Sequence, residues 1–450
     1  MKRLIDYYLL SWKNDTLRQP LLLRGARQVG KTHAVRELGK TYDDFVEINL
    51  ESNRRAHIAF EKNLEPQEIL LNLASVIKKE IIPGKTLLFL DEIQAKPDAI
   101  TALRYFYEMM PELHVIAAGS LLDFAIEKVG IPVGRVQSLY LYPMSFIEFL
   151  AAEQEFPLIK ALIEHDVQHE IGAAIHQRAI ELVGQYLAIG GMPRVVHQWT
   201  TTKQSTTCAT MHAAIIDTYR QDFGKYARQA QVKYVDKVFE SVPVQLGRKF
   251  KYSSIDGDYR KRELAPALDL LVVAGVAHKI CHTSGHGVPL GAQASMEDYK
   301  VIALDVGINQ AILGHDSTNW LLHPLIEFVN KGPLVEAFIG QEMLAYADPH
   351  RKKGLYYWHR EAASSQAEVD FILEQGSLVL PIEVKSGTGQ TLKSIRLFLE
   401  THPASTKGIR FSINNFSHYE KIQSLPLYAV IRAFTQHHQA LQEAIVSLLD

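Results

Sequence analysis

Short runs of apolar residues alternate with amphipathic stretches along the first 150 residues. The apolar runs are LLLRG, DFVEINL, TLLFLDE, HVIAAGS and RVQSLYLY. Continuous apolar strands separated by helix-length segments are typical of a parallel sheet that helices cover on both faces. The pattern therefore predicts an α/β core over residues 1–150.

The pattern becomes helical after this core. Between about 143 and 230 the clearest predicted helices span 144–150 and 168–189, and the sequence GGMP at 190–193 ends the second of them. The helical unit as a whole is assigned to residues 151–231. It is predicted to form a helical lid on the core.

Two further units are predicted beyond the lid. Residues 232–330 have the order helix, strand, glycine-rich turn and strand, which suits a winged helix. Residues 331–450 begin with a predicted helix over 334–346 and continue with the runs LYYWHR, AEVDFIL and LVLPIEVK, which indicate a second α/β domain. A chain of 450 residues is longer than one hydrophobic core usually organises, so several units are expected on length alone.

The turn after the first predicted strand contains GARQVGKT, which matches the phosphate-binding pattern G-x-x-x-x-G-K-[ST]. The residues of this phosphate loop are Gly25, Ala26, Arg27, Gln28, Val29, Gly30, Lys31 and Thr32. Glycines permit the tight turn, and backbone N–H groups at a helix N-terminus bind phosphate. Lys31 is expected to neutralise the β and γ phosphates, and Thr32 is expected to ligate Mg²⁺. The sequence therefore predicts a site for ATP and Mg²⁺.

A second buried strand, Leu87–Leu90, ends in two carboxylates, Asp91 and Glu92. Asp91 is expected to hold Mg²⁺ directly or through water, and Glu92 to polarise the water that attacks the γ-phosphate. With Lys31, these residues predict ATP hydrolysis.

Two further candidates for catalysis each have an alternative. Ser120 ends the next strand, where its hydroxyl can sense the γ-phosphate or hold the water, or can cap a helix that starts at Leu121. Arg135 can act as an arginine finger on the nucleotide of a neighbouring subunit, which requires a homo-oligomer, or can form a structural salt bridge.

The C-terminal unit contains a second group of chemically suitable residues. Glu383 and Lys385 are two apart on one predicted strand and so point the same way, and Asp370 lies on the strand before it. Two carboxylates with one lysine can bind Mg²⁺ or Mn²⁺ and position a water for phosphodiester cleavage. Glu336, on the preceding helix, is a further candidate ligand. An ion pair on the surface of a hairpin would produce the same residue pattern.

Charge adds one local feature. The net charge is −2, so no overall field attracts nucleic acid. The segment 248–262, RKFKYSSIDGDYRKR, nevertheless carries six basic residues and two tyrosines, and we call it the basic segment. It can contact DNA phosphates, although a solvated surface has the same composition. DNA is therefore a candidate partner.

No apolar run approaches the roughly 20 residues that a membrane-spanning helix needs. The N-terminus, MKRLIDYYLLSWKNDT, has a short, interrupted apolar stretch without a small-residue cleavage signal. It is therefore interpreted as an amphipathic helix rather than an export signal. We expect a cytoplasmic protein without a membrane partner.

Several of these motifs together make the chain similar to a known family, the prokaryotic AAA-type ATPases with a C-terminal domain of formerly unknown function. The motifs are GARQVGKT, LLFLDEIQ, AAGSLLD, the stretch from 134 to 150, GGMP and EVDFIL…PIEVKSG. The resemblance runs nearly end to end and implies an AAA+ core related to the archaeal-type and signal-transduction ATPases. In that core a lid proline contacts the adenine, which would make Pro193 a nucleotide contact. Pro193 can instead simply break a helix.

The C-terminal unit resembles the PD-(D/E)xK fold of restriction endonucleases and Holliday-junction resolvases, and many domains of that shape only bind. Two functions follow as hypotheses. The first is an ATP-dependent enzyme that acts on DNA through winged-helix and nuclease-like domains. The alternative is a nucleotide-dependent signalling or regulatory switch with an inactive C-terminal binding domain.

Overall fold

The computed structural model describes residues 1–61, 63–130, 132, 134–315, 318–360, 367–387, 391–435 and 438–449, without the side chains of 127–129 and 226. The first region alternates helices and strands. Its elements are α1 (Leu4–Asn14), β1 (Leu21–Arg24), α2 (Lys31–Gly39), β2 (Asp44–Asn49), α3 (Pro66–Ile77), β3 (Thr86–Asp91), α4 (Pro97–Met109), β4 (His114–Ala118), α5 (Leu122–Val129) and β5 (Gln137–Tyr140).

The strands of this region form a five-stranded sheet in the order β2-β3-β4-β1-β5, and all neighbouring strands are parallel. Leu21 and Leu23 pack into the apolar cluster on one face of the sheet, whereas Leu22 packs into the cluster on the other face. Burial on both faces explains the continuous apolar runs. The predicted parallel sheet is confirmed, and the carboxyl ends of β1, β3 and β4 meet at one edge.

The next region is helical, as predicted. Its elements are α6 (Phe146–Ala152), α7 (Phe156–Glu164), α8 (Ala173–Ile189), α9 (Pro193–Thr202) and α10 (Ser205–Tyr226). The break between α8 and α9 is fixed by Asp305, whose Oδ2 accepts a hydrogen bond from Gly191 N at 2.6 Å. The backbone at Gly190 has a φ of +74°, and a β-carbon there would lie 2.2 Å from Asp305 Oδ1. This contact requires a glycine.

The third region has the predicted order of helix, strand, turn and strand, followed by further helices. Its elements are α11 (Gln229–Val244), α12 (Lys261–Val273), β6 (Ala277–Thr283), β7 (Ala294–Ala303), α13 (Val306–Ile312), α14 (Thr318–Leu322) and α15 (Pro324–Asn330). The strands β6 and β7 form an antiparallel hairpin.

The C-terminal region begins with the predicted helix and strands. Its elements are α16 (Gly332–Ala345), β8 (Leu355–His359), β9 (Glu368–Gln375), β10 (Leu378–Lys385), α17 (Lys393–Thr401), β11 (Gly408–Ser412), β12 (Ser417–Tyr419), β13 (Ile422–Pro426), α18 (Arg432–Thr435) and α19 (Gln439–Leu449). A mixed α/β arrangement is therefore present here as well.

The hairpin of the third region is continuous with the C-terminal strands. Strand β6 pairs in parallel with β8, and an eight-stranded sheet has the order β12-β13-β11-β10-β9-β8-β6-β7. The hairpin expected to be a wing therefore extends a sheet that crosses the predicted boundary at 330/331. A free-standing winged helix stays a prediction.

The first and last helices, α1 and α19, pack against each other, and Tyr7 on α1 hydrogen-bonds to Glu443 on α19. Among the described residues, no helix is both long enough and apolar enough to cross a bilayer.

Candidate functional site

The phosphate loop lies between β1 and α2, at the carboxyl edge of the parallel sheet. Gly25 has a φ of +141°, and a β-carbon there would lie 2.2 Å from Leu141 O. Gly30 has a φ of +102° and precedes the first residue of α2. Both positions require glycine, since other residues rarely adopt such a backbone. The loop therefore has the conformation that the motif predicts.

Lys31 is buried, with 7% of its surface exposed. Its Nζ donates to Gly25 O and Ala26 O, both at 2.8 Å. Burial lowers the pKa of the Lys31 ammonium to about 8, although the nearby charges of Glu92 and Asp91 oppose this shift. A protonated amine is thus held inside the loop, where phosphate oxygens would be better acceptors than backbone carbonyls.

Thr32 and Asp91 meet at the start of α2. Thr32 Oγ1 donates to Asp91 Oδ2 at 3.2 Å. Burial, and next the charge of Glu92, raise the pKa of the Asp91 carboxyl. A hydroxyl beside a carboxylate is a ligand set that suits Mg²⁺. The two predicted Mg²⁺ ligands therefore lie together.

Glu92 is the residue after β3, and its backbone is left-handed with a φ of +49°. Its Oε2 accepts from Gln94 Nε2 at 2.5 Å, from Ser120 Oγ at 3.3 Å and from Ser120 N at 3.4 Å. A strained backbone held by several contacts is common where a side chain must be aimed. Glu92 and Ser120 are thus brought together from the ends of two adjacent strands.

Ser120 does not cap the following helix. The helix α5 begins at Leu122, its N-cap is Leu121, and no side chain caps it. The alternative of a helix cap, with a start at Leu121, was therefore wrong, because the Ser120 hydroxyl contacts Glu92 instead. Its role toward a nucleotide stays a prediction.

Three residues that the motif does not contain also contact the phosphate loop. Arg27 Nη1 donates to both carboxylate oxygens of Asp222 on α10, at 2.5 and 2.6 Å, and Tyr219 on the same helix donates to Arg27 O at 3.0 Å. From the residue just before α1, Arg3 Nη1 donates to Val29 O at 3.0 Å. These partners are far away in sequence, so no local pattern identifies them.

The two remaining candidates occupy different places. A β-carbon at Gly30 would lie 3.6 Å from Pro193 Cγ, so Pro193 borders the phosphate loop while it also begins α9. Arg135 precedes the amino end of β5, at the opposite edge of the sheet, and its Nε pairs with Glu108 Oε1 at 2.8 Å. Within one chain, Arg135 is therefore a surface ion pair, and an action on a neighbouring subunit stays a prediction.

The phosphate loop lies in a part of the chain that matches a known protein family. Residues 17–150 match the model of a family described as AAA domain. These residues form a P-loop ATPase domain of the AAA type. Residues 180–319 and 331–430 match two families described as domains of unknown function, DUF8612 and DUF4143. No curated protein matches the chain significantly.

Solved structures similar to the chain include other ATPases. The Walker-type ATPase PABY2304 of Pyrococcus abyssi has a TM-score of 0.41 and 14% identity, over 69% of this chain and 95% of that one. PCH-2 of C. elegans has a TM-score of 0.25 and 14% identity, over 45% of this chain and 63% of that one. A third structure is the STAND protein PH0952 of Pyrococcus horikoshii, which has a tetratricopeptide repeat sensor. Its TM-score is 0.26 and its identity 12%, over 77% of this chain and 48% of that one. The family match, rather than these similarities, carries the assignment of the AAA domain.

Outside the AAA domain, the C-terminal candidates lie together on the eight-stranded sheet. Asp370 Oδ2 accepts from Val384 N at 2.7 Å, and Lys385 Nζ pairs with Glu383 Oε1 at 2.5 Å. The other carboxylate oxygen, Glu383 Oε2, is buried and has no hydrogen-bond partner among the residues that the structure describes. A buried polar atom without a partner is rare and costly, and is often a sign of a missing ion or water.

Two residues of this cluster were missed by the sequence analysis. Lys300 on β7 is 1% exposed, and its Nζ pairs with Glu336 Oε1 at 2.8 Å and with Glu368 Oε1 at 2.6 Å. Burial opposes the charge of Lys300, but the carboxylates of Glu336, Asp370 and Glu368 outweigh it and raise the pKa of the Lys300 ammonium. Only the pairing of β6 with β8 brings Lys300 to this place, and that pairing leaves no local signal.

The carboxylate cluster comprises Glu336, Glu368, Asp370 and Glu383 with Lys300 and Lys385. Burial, and next the charge of Asp370, raise the pKa of Glu383 to about 7, and burial raises the pKa of Glu336 to about 7 against the opposing charge of Lys300. Burial also raises the pKa of Asp370. Four carboxylates thus face two lysines, and a divalent cation with oxygen ligands would balance the excess charge.

The basic segment lies beside this cluster. Its six basic residues are all exposed, and Phe250 N donates to Tyr299 O on β7 at 2.9 Å. Lys249 Nζ pairs with Asp298 Oδ2 at 2.7 Å, and Asp298 lies two residues before Lys300 on β7. The start of the basic segment therefore contacts β7, the strand that carries Lys300 of the carboxylate cluster.

Proposed function

We propose that the chain hydrolyses ATP in its AAA domain. The observation that carries this proposal is the position of Glu92, which Gln94 and Ser120 hold beside the Thr32–Asp91 pair. A carboxylate next to a ligand set for Mg²⁺ is what activation of an attacking water requires.

Each residue then has a defined task. Lys31 exchanges its two backbone acceptors for β and γ phosphate oxygens, and Thr32 and Asp91 would hold Mg²⁺. When bound, Mg²⁺ supplies positive charge to the phosphates. Glu92 accepts the proton of the attacking water, and Ser120 fixes the direction of the Glu92 carboxylate. Pro193 borders the nucleotide from the lid.

The experiment is steady-state ATP hydrolysis by Glu92→Gln. We expect kcat to fall by about 10²–10⁴-fold while nucleotide binding is retained, because the amide keeps the shape of the side chain but accepts no proton. The matched control is Glu112→Gln, on an exposed residue of the same domain. Equal kcat values for Glu92→Gln and the wild type would remove Glu92 from the mechanism.

We further propose that the C-terminal sheet acts on DNA, with Asp370, Glu383 and Lys385 cleaving a phosphodiester and Glu336 as an additional ligand. The unpartnered Glu383 Oε2, within an excess of carboxylates, supports Mg²⁺ or Mn²⁺ there. A bound divalent cation would polarise the phosphate. Lys385 lies where it can stabilise developing negative charge.

Cleavage is tested on single-stranded, double-stranded and branched DNA with Mg²⁺ or Mn²⁺. We expect cutting that Asp370→Asn abolishes and that Asp43→Asn, an exposed carboxylate of the AAA domain, leaves unchanged. DNA cleavage without a metal ion, or no cleavage of any of these substrates, would contradict the proposed nuclease activity.

DNA binding by the basic segment is tested separately through its salt dependence. Arg260→Ala and Arg262→Ala should each weaken DNA binding and reduce the salt slope by about one, because each arginine would neutralise one phosphate. Unchanged slopes in both variants would assign the segment to an ordinary solvated surface.

One observation favours the alternative of a nucleotide-dependent switch with an inactive C-terminal domain. Buried Lys300 already pairs with Glu336 and Glu368, which lowers the need for a metal ion there. This version predicts slow ATP turnover, nucleotide-dependent assembly in light scattering and no salt-dependent DNA binding. A steep salt slope would count against it.

A further inference from the structure

Three side chains on three neighbouring strands converge beside the carboxylate cluster. They are His282 on β6, Asp298 on β7 and His359 on β8, and each offers one ligand atom within 4.8 Å of the other two. His359 Nε2 lies 3.1 Å from Asp298 Oδ2, and the imidazole ring centres are 4.2 Å apart. The sheet thus fixes two imidazoles and a carboxylate around one point.

Contacts around the three residues hold the carboxylate in place. Tyr357 OH donates to Asp298 Oδ1 at 2.6 Å, which leaves Oδ2 directed at His359. His282 is 6% exposed and His359 has a side chain that is 30% exposed, so the group is buried at one end and open to solvent at the other. Outer hydrogen bonds of this kind orient the ligands of protein metal sites.

The ligand types select the metal. Two imidazole nitrogens and one carboxylate oxygen suit Zn²⁺ and other first-row divalent ions, whereas Mg²⁺ prefers oxygen alone. Metal–ligand bonds of about 2.1 Å in a tetrahedron place two ligand atoms roughly 3.4 Å apart. The separation of His359 Nε2 and Asp298 Oδ2 is already close to this value.

We propose that His282, Asp298 and His359 bind a first-row divalent transition-metal ion, with Zn²⁺ as the best fit. Such an ion would join the β6–β7 hairpin to β8, the strand pairing that links the third region to the C-terminal region. Three protein ligands leave a fourth position for water.

The ion would compete with one residue of the basic segment. Lys249 Nζ lies 2.7 Å from Asp298 Oδ2, the oxygen that the metal needs, and the Lys249 side chain is 51% exposed. An exposed ammonium can move into solvent at little cost. Metal binding therefore releases Lys249, and removal of its charge favours the metal.

The test uses the full chain without a histidine tag, stripped of metal by a chelator and titrated with Co²⁺. We expect visible absorption bands that saturate at one Co²⁺ per chain and disappear when Zn²⁺ is added. His359→Ala should weaken Co²⁺ binding at least tenfold, and His418→Ala, on an exposed histidine of β12, should not. Circular dichroism verifies that both variants are folded.

Two further variants keep the result decisive. Lys249→Met should tighten Co²⁺ binding several-fold, which a structural role of the three residues would not produce. Glu383→Gln should leave the Co²⁺ spectrum unchanged, because that residue belongs to the carboxylate cluster. The proposal is overturned by a wild type without bands, by equal affinities of His359→Ala and the wild type, or by a spectrum that Glu383→Gln removes.

Discussion

The phosphate loop and the carboxylate cluster are two polar sites built in opposite ways. The phosphate loop is eight consecutive residues, and its buried cation, Lys31, contacts backbone carbonyls of its own loop. The carboxylate cluster draws its residues from α16, β7, β9 and β10, and its buried cation, Lys300, contacts carboxylates from other elements. The first site depends on local backbone geometry, and the second depends on long-range strand pairing.

The largest expected effect is on the phosphate loop. Lys31→Ala should lower kcat for ATP by about three orders of magnitude or more, because the charge that faces the β and γ phosphates is lost. The fold should change little, since Lys31 Nζ contacts two backbone carbonyls and pairs with no carboxylate of the described residues. Lys40→Ala, on an exposed lysine just after α2, is the control for the ATPase assay.

The opposite outcome is expected for the buried cation of the carboxylate cluster. Lys300→Met should lower the free energy of unfolding by about 3–5 kcal/mol, because it leaves the buried Glu336 carboxylate without its partner. Urea unfolding measures the loss, with Lys160→Met as an exposed control. If Lys300→Met were as stable as the wild type, the carboxylate cluster would not need the lysine that strand pairing brings to it.

The contact between the two halves of the chain predicts a pH effect. Glu342 on α16 accepts from Phe146 N, at the start of α6, at 2.9 and 3.1 Å, and burial raises its pKa to about 8. From its ordinary pKa of 4.5 up to about 8, the unfolded chain loses this proton while the folded chain keeps it. This group therefore lowers stability as the pH rises through that window.

Glu342→Gln has no such proton to lose. Relative to the wild type, its free energy of unfolding, measured in urea, should increase between pH 5 and pH 8 by roughly 1 kcal/mol per pH unit. Glu112→Gln should follow the wild type at every pH. Parallel curves for Glu342→Gln and the wild type would show that Glu342 is already ionised in the folded protein.

The smallest effect sharpens the description of the phosphate site. Ser120→Ala should lower kcat for ATP about tenfold, since one of the hydrogen bonds that orient Glu92 is lost while the Gln94 bond remains. Nucleotide affinity should be unchanged. The control variant is Ser75→Ala, which changes an exposed serine on α3. If Ser120→Ala lowered nucleotide affinity more than kcat, Ser120 would contact the phosphate instead of orienting Glu92.

The same contrast explains what the sequence predicts. The phosphate loop and its parallel strands are predictable, because each depends on neighbouring residues and on burial of both sheet faces. Gln94 lies within the motif LLFLDEIQ, yet its contact with Glu92 depends on the left-handed backbone of Glu92. Asp222 and Lys300 are not predictable from a local pattern, because their partners are separated from them by 195 and 36 residues.

The winged-helix prediction is limited in the same way. A helix followed by a hairpin predicts β6 and β7, but the pairing of β6 with β8 places Ile280 opposite Leu355, 75 residues away in the chain. The order of elements was right, whereas the sheet to which the hairpin belongs has no local signature.

The ion pair between Arg27 and Asp222 has a mechanical consequence. The helix α10 contains 22 residues and is a rod about 33 Å long, with Asp222 near its C-terminal end. A tilt of about 5° at the phosphate loop would displace the far end of such a rod by roughly 3 Å. If Arg27 shifts when phosphates enter or leave the loop, the length of α10 would enlarge that shift at the far end of the helix.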